Sequence, residues 1–139
     1  MKKLIVSIGL TLLTSTVMAS DTIPECAYDA AEKYGAPKKV FKALVLAERD
    51  SPNIKDSKHY GSMNMYELIV PHISEKTAIS ETDIKNDECS GYYAASWLLM
   101  NSMDGDIWDA VYTYYYGFTD RYKSNPVKVE QVRKIYESL

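Results

Sequence analysis

One glutamate stands out as a candidate acid because it adjoins an apolar segment. Glu48 follows residues 40–47, which are apolar apart from Lys42. If this segment is a helix, its period of 3.6 residues directs Glu48 between Phe41 and Leu44, on the apolar side. Burial and the negative end of the helix dipole both favour a protonated carboxyl there, as a general acid requires. The segment leaves open a second interpretation, in which Glu48 pairs with a lysine or arginine or extends into solvent.

The N-terminus has the pattern of a secretory signal peptide. A short basic start precedes an uncharged, mostly apolar run at 4–17, and Ala19 ends a small-x-small sequence. The run is shorter than the roughly twenty residues that a membrane span needs. We therefore expect residues 1–19 to be cleaved and residues 20–139 to form one periplasmic domain without a stable membrane anchor.

The two cysteines, Cys26 and Cys89, are a second pair of residues with chemical potential. In an exported chain an even number of cysteines more often forms a disulfide than reactive thiols. A zinc site would need His59 and His72 as further ligands, and neither histidine has a tight metal-binding spacing. We expect a disulfide that closes a loop of about 64 residues, and neither a metal nor another cofactor.

Length, composition and breaker residues predict a single helical domain. The chain has 139 residues and a net charge of -3, which gives no indication of nucleic-acid binding. Its apolar pattern predicts helices at 26–34, 38–49, 63–70, 90–103 and 107–116, and a last helix after Asn125-Pro126. Pro71 is expected to end the third helix, while Ser80 and Asp106 are expected to cap helix starts. The predicted fold class is a compact, mainly α domain with no convincing strand.

Several segments also occur in the order and spacing of known motifs. They are Cys26-Ala27-x-x-Ala30-Ala31-x-x-Tyr34-Gly35-Ala36-Pro37, Glu48, Gly61-Ser62-Met63-Asn64-Met65, Asp87-Glu88-Cys89 with the helix after it, and Ala110-Val111-x-x-Tyr114-Tyr115-Tyr116-Gly117. Together they resemble the lytic transglycosylase family, which has a lysozyme-like fold and cleaves the glycan strands of peptidoglycan. The first segment is similar to that of small members associated with pili, secretion systems and conjugation, so this machinery is the implied protein partner.

The resemblance implies roles for individual residues. The implied catalytic residue is Glu48, and the implied substrate-binding residues are Gly61, Met63, Asn64, Tyr114 and Tyr115. In the family, the tyrosine that matches Tyr114 lies near the acid and can position it by a hydrogen bond. Apolar core packing remains the alternative for both Tyr114 and Met63.

The implied reaction uses one carboxyl group twice. Glu48 would protonate the oxygen between N-acetylmuramic acid and N-acetylglucosamine, then accept the proton of the C6 hydroxyl as it attacks, which yields a 1,6-anhydro sugar. A lysozyme-type hydrolase usually needs a second carboxylate. Asp50 and Glu67 are the residues available for that role, and no motif supports either.

The chain also departs from the family pattern around the implied site. Arg49 stands where the family has Ser, Ser62 where it has Leu, Asn64 where it has Gln, and Tyr115 where it has Asn. These departures support an alternative function, a degenerate module that binds glycan or a partner protein without cleavage. Tyrosine is also dense, with four rings within 112–116, and aromatic faces suit sugar stacking as well as a helix core.

Overall fold

The computed structural model describes residues 20–51 and 58–139, so the expected signal peptide at 1–19 lies outside the described residues. The helices are α1 (Glu25–Tyr34), α2 (Lys38–Asp50), α3 (Val70–Thr77), α4 (Glu81–Asn86), α5 (Glu88–Asn101), α6 (Ile107–Tyr116) and α7 (Val127–Ser138), and the strands are β1 (His59–Tyr60) and β2 (Met65–Tyr66). The prediction of a mainly α fold is confirmed. In these two ranges, no helix is both long and apolar enough to cross a membrane.

Helix α2 lies in the core because it is apolar on nearly every side. All residues at 40–48 are buried except Lys42. A helix of this kind must be covered all round, and α1 and α7 both pack against it. Phe41 and Leu44 are among the largest fully buried side chains of the domain. The same burial carries Glu48, at the last turn, into the interior.

A disulfide between Cys26 and Cys89 joins α1 to α5, with the two Cα atoms 5.7 Å apart. The helices approach closely because Ala27, Ala30 and Ala31 are fully buried between α1 and the core. The expected disulfide is confirmed. Because both sulfurs are bonded to each other, they are not zinc ligands, and the bond indicates an oxidising, extracytoplasmic setting.

The predicted helix at 63–70 is wrong, because residues 59–66 form a small antiparallel hairpin. His59 pairs with Tyr66 and Tyr60 with Met65. At the turn, Gly61 and Asn64 have φ values of 76° and 47°, which an α-helix does not contain.

Pro71 begins a helix where the sequence was expected to end one. Helix α3 starts at Val70, so the proline occupies its first turn. A first-turn residue has no intrahelical acceptor for its N–H, and proline therefore loses nothing there.

Two predicted helix starts are confirmed by capping hydrogen bonds. The Ser80 hydroxyl accepts from the Asp83 N–H at 3.0 Å. The Asp106 carboxylate accepts from the N–H groups of Trp108 and Asp109, and Asp109 reciprocates in a capping box. This cap fixes the beginning of α6, the helix that carries the tyrosine cluster.

The disulfide should contribute strongly to stability because the two cysteines are 63 residues apart in sequence. Closing such a loop stabilises the folded state by about 4 kcal/mol in the chain-entropy account. We expect the Cys26→Ser, Cys89→Ser double variant to lose about that much free energy of unfolding in a urea titration. Reduced wild type serves as the control and should match the double variant, whereas a loss below about 1 kcal/mol would contradict this role.

Candidate functional site

Glu48 is buried and is held by two neutral hydrogen-bond donors. Its exposed fraction is 6%. The Tyr115 hydroxyl donates to Oε1 at 2.6 Å, and the Asn64 amide donates to Oε2 at 2.9 Å. No ion pair involves Glu48 within residues 20–51 and 58–139. For this part of the chain, the interpretation of Glu48 as an ion-paired or solvent-extended residue is therefore wrong.

The hairpin at 59–66 positions Asn64 against the end of α2. Asparagine adopts the left-handed conformation more readily than most residues, and from it the Asn64 amide also reaches the Glu48 carbonyl at 3.4 Å. The Ser62 hydroxyl tethers the turn to α5 by donating to the Glu88 carbonyl at 2.9 Å. The short Asn64 side chain is thus part of the turn as well as part of the site.

Gly61 is required by the backbone of the same turn. Its φ is 76°, and a Cβ built there would overlap the carbonyl oxygen of Ile84 in α4. A side chain at this position would therefore push the hairpin away from α4 and displace Asn64.

Tyr115, and not Tyr114, makes the hydrogen bond to Glu48. In the part of the chain that the structure describes, the buried Tyr114 hydroxyl has no hydrogen-bond partner. The Tyr114 ring meets the Tyr115 ring edge-on, with centroids 5.2 Å apart. Burial, followed by the nearby Glu48 carboxylate, raises the pKa of both tyrosines well above its ordinary value. Both hydroxyls therefore keep their protons near neutral pH.

The Glu48 carboxyl borders a cleft of about 620 Å³. Among the predicted substrate-binding residues, Met63, Asn64, Tyr114 and Tyr115 line this cleft. Gly61 does not, and instead borders a smaller pocket of about 290 Å³ that also reaches Glu48 and Asn64. Met63 is only 1% exposed, so its side chain belongs to the core as well as to the cleft wall.

Glu48 is the only carboxylate among the described residues that line the larger cleft. Asp50 is exposed and pairs with Arg49 at 3.1 Å, and Glu67 lies outside the lining. Arg49 also donates to the Thr22 carbonyl at 3.1 Å, so this substituted position is anchored to the N-terminal segment. Across 20–51 and 58–139, no group of three or more His, Cys, Asp or Glu side chains is placed to hold a metal ion.

Among the cleft residues that sequence reasoning missed are Ser51 and Lys128, which are hydrogen-bonded to each other. The Lys128 ammonium donates to the Ser51 hydroxyl at 3.0 Å, and that hydroxyl donates to the Ala47 carbonyl at 2.8 Å. Lys128 reaches the cleft because α7 packs along α2. The apolar stripe of α7 predicts which face it buries, but no local signal shows where the neighbouring polar residues arrive.

Loss of the hydroxyl group should lower the stability of the protein at Tyr115 but not at Tyr114. Tyr115→Phe breaks the hydrogen bond to Glu48 and leaves a buried carboxyl oxygen without this donor, so we expect a loss of about 1–3 kcal/mol. Tyr114→Phe removes a buried hydroxyl without a partner in the described chain, so stability should stay the same or rise by up to about 1 kcal/mol. Urea unfolding of the oxidised proteins measures both values. Equal losses would contradict the assigned hydrogen bond.

Stability should also fall as the pH rises above about 10, where unfolded tyrosine loses its proton. Below that pH, both states hold the proton, and the contribution of Tyr114 and Tyr115 is fully present. Above it, only the unfolded state releases the proton, because the folded pKa of each is raised. The free energy of unfolding should decline by roughly 1.4 kcal/mol per pH unit for each such tyrosine.

The matched measurement is urea unfolding between about pH 8 and pH 11. In Tyr114→Phe, the free energy of unfolding should decline less steeply above about pH 10, by roughly 1.4 kcal/mol per pH unit, because one tyrosine fewer titrates. A slope identical to that of wild type would show that Tyr114 ionises normally in the folded protein.

Comparison with known proteins does not assign the chain to a family. No protein-family model matches the sequence, and no curated protein or solved structure resembles it closely enough to count as a match.

Proposed function

We propose that the protein is a lytic transglycosylase with a lysozyme-like domain, which cleaves the bond between N-acetylmuramic acid and N-acetylglucosamine in peptidoglycan. The observation that carries the proposal is the Glu48 carboxyl, 6% exposed and held by Tyr115 and Asn64 at the wall of a cleft. The order of the sequence motifs supports it independently, because Glu48 matches the family's acid.

The surroundings of Glu48 suit a group that gives up a proton and then takes one back. As the general acid, the Glu48 carboxyl would first protonate the glycosidic oxygen of a glycan bound in the cleft. The neutral donors Tyr115 and Asn64 stabilise the carboxylate left after that transfer. The carboxylate then accepts the proton of the C6 hydroxyl as its oxygen attacks the anomeric carbon. The product is a 1,6-anhydro sugar, and no water is consumed.

The composition of the cleft favours this route over hydrolysis with two carboxylates. A lysozyme-type hydrolase places its second carboxylate within about 10 Å of the acid, across the scissile bond. Glu48 has no such companion among the described lining residues, and Asp50 is engaged with Arg49. An intramolecular nucleophile on the substrate removes the need for one.

The remaining wall of the cleft is suited to sugar rings. Met65, Ile69 and Leu98 provide apolar surface, and Tyr116 and Phe118 add aromatic rings. Phe118 is 87% exposed, so its ring face is available to a ligand. Aromatic and apolar surfaces pack against the C–H faces of pyranose rings.

A second candidate function is a module that binds glycan or a partner protein without cleavage. The observation that favours it is that each Glu48 oxygen already accepts a hydrogen bond, from Tyr115 or from Asn64. Both donors stand at positions where the family has other residues. If these bonds persist in the complex, the carboxyl is less free to protonate the substrate.

The proposed setting is the periplasm, where peptidoglycan is accessible and disulfides form. The Cys26–Cys89 bond is consistent with it. We further propose that the protein opens the wall locally for a pilus, secretion or conjugation apparatus. This last step depends on the sequence resemblance alone.

The proposal predicts that Glu48→Gln abolishes cleavage while glycan binding is kept. Loss of a general acid lowers the rate by about 100-fold or more, whereas Gln preserves the shape of the side chain. The assay is incubation of purified, oxidised protein with peptidoglycan and mass analysis of the released fragments. Wild type should release fragments one water lighter than hydrolysis products.

Glu67→Gln is the matched control, because Glu67 is a carboxylate that does not line the cleft. This variant should release the same fragments at the wild-type rate. Release of hydrated fragments by wild type would show that the protein is a hydrolase and not a lyase. If neither wild type nor either variant releases fragments, and all three still sediment with peptidoglycan, the binding module is favoured.

A further inference from the structure

Lys128 places a cation in the cleft without an acidic partner among the described residues. It lines the same cleft as Glu48, and its half-buried ammonium donates to the Ser51 hydroxyl. Among the described lysines outside the cleft, some, such as Lys38 and Lys123, pair with carboxylates, and others, such as Lys134, form no ion pair with a described residue. The chain has 19 acidic residues, so acidic groups are plentiful, yet none forms an ion pair with Lys128 within 20–51 and 58–139.

Helix stability does not explain this position. Lys128 is the second residue of α7, and the positive end of a helix dipole disfavours a cation in the first turn. The helix start also lacks a side-chain cap, and the Lys128 N–H donates to the Tyr116 hydroxyl at 3.0 Å. Ammonium and helix end together make this side of the cleft electropositive.

We propose that Lys128 binds a carboxylate carried by the muramic acid part of the glycan. This inference depends on the proposed function and adds to it a residue that determines substrate specificity. N-acetylglucosamine units are neutral, whereas muramic acid bears a lactyl group that is either a free carboxylate or the attachment point of an acidic peptide. Lys128 therefore gives the cleft a preference for peptidoglycan over neutral polymers of N-acetylglucosamine.

A purely structural role for Lys128 has to be distinguished from this one. The ammonium lies 5.8 Å from the centroid of the Tyr115 ring, and Tyr115 holds Glu48. If Lys128 acted only by positioning Tyr115, its loss would affect every glycan equally. A charge contact affects only the carboxylate-bearing ligands, and it weakens as salt is added.

The test measures ligand binding in the Glu48→Gln background, which prevents turnover. The ligands are a neutral N-acetylglucosamine oligomer, a peptide-free glycan with lactyl carboxylates, and the same glycan with its peptides. The parent protein carries Glu48→Gln alone, and each test variant carries one further substitution, Lys128→Met, Lys128→Arg or Lys134→Met. Lys134 is the control because it is exposed on the same helix and borders none of the cleft or pocket surfaces described above.

We expect Lys128→Met to weaken binding of a carboxylate-bearing glycan about tenfold, as for loss of a charge-assisted hydrogen bond. Binding of the neutral oligomer should be unchanged, and Lys128→Arg and Lys134→Met should behave like the parent. An effect confined to the peptide-free glycan identifies the lactyl carboxylate, and one confined to the peptide-bearing glycan identifies the peptide.

Equal weakening for all three ligands, or no weakening for any, would overturn the inference and leave the proposed function intact. If the parent protein bound none of the ligands, the proposed function would be wrong, and this inference with it. Urea unfolding of Lys128→Met checks that the variant is folded, and Lys128→Arg supplies the comparison if it is not.

Discussion

A buried carboxyl group must find hydrogen-bond partners, and this requirement organises the site. The apolar sides of α2 force Glu48 into the interior, where an unpartnered carboxylate would be strongly destabilising. The donors come from remote parts of the chain, Asn64 from the hairpin and Tyr115 from α6. The hairpin turn, the tether from Ser62 to α5 and the cap of α6 all serve to bring these donors to α2.

Neutral donors have a different chemical consequence from a salt bridge. A lysine or arginine at the same place would hold Glu48 permanently ionised, as a structural ion pair does. Tyr115 and Asn64 satisfy both carboxyl oxygens of Glu48 without adding a positive charge. In the proposed reaction, the Glu48 carboxyl exchanges a proton with a ligand in the cleft.

Features encoded by local patterns could be predicted from the sequence. The helical period placed Glu48 on the buried side of α2, and Ser80 and Asp106 supplied the hydrogen-bond acceptors that helix starts require. The disulfide followed from an even number of cysteines in a chain expected to be exported. Each of these predictions depends on residues close in sequence, or on composition, and does not require the packing of the helices.

The hairpin, the tyrosine that contacts Glu48 and the position of Lys128 could not be predicted, because they depend on tertiary structure. Strands of two residues show no alternation, so the second half of the hairpin, 63–66, was predicted as part of a helix. Motif alignment favoured Tyr114 as the partner of Glu48, but neighbouring residues on a helix point about 100° apart, and packing of α6 turns Tyr115 towards the acid. Lys128 reaches the cleft only because α7 lies along α2.

The most direct measurement is a crystal structure of the Glu48→Gln variant with a bound oligomer of alternating N-acetylglucosamine and N-acetylmuramic acid. We expect the oligomer to occupy the cleft between the hairpin and α6. We also expect the glycosidic oxygen to lie within about 3.2 Å of the side-chain amide of residue 48, which is the reach of a general acid. An oligomer bound elsewhere, or a glycosidic oxygen beyond the reach of that side chain even through one water, would contradict the account.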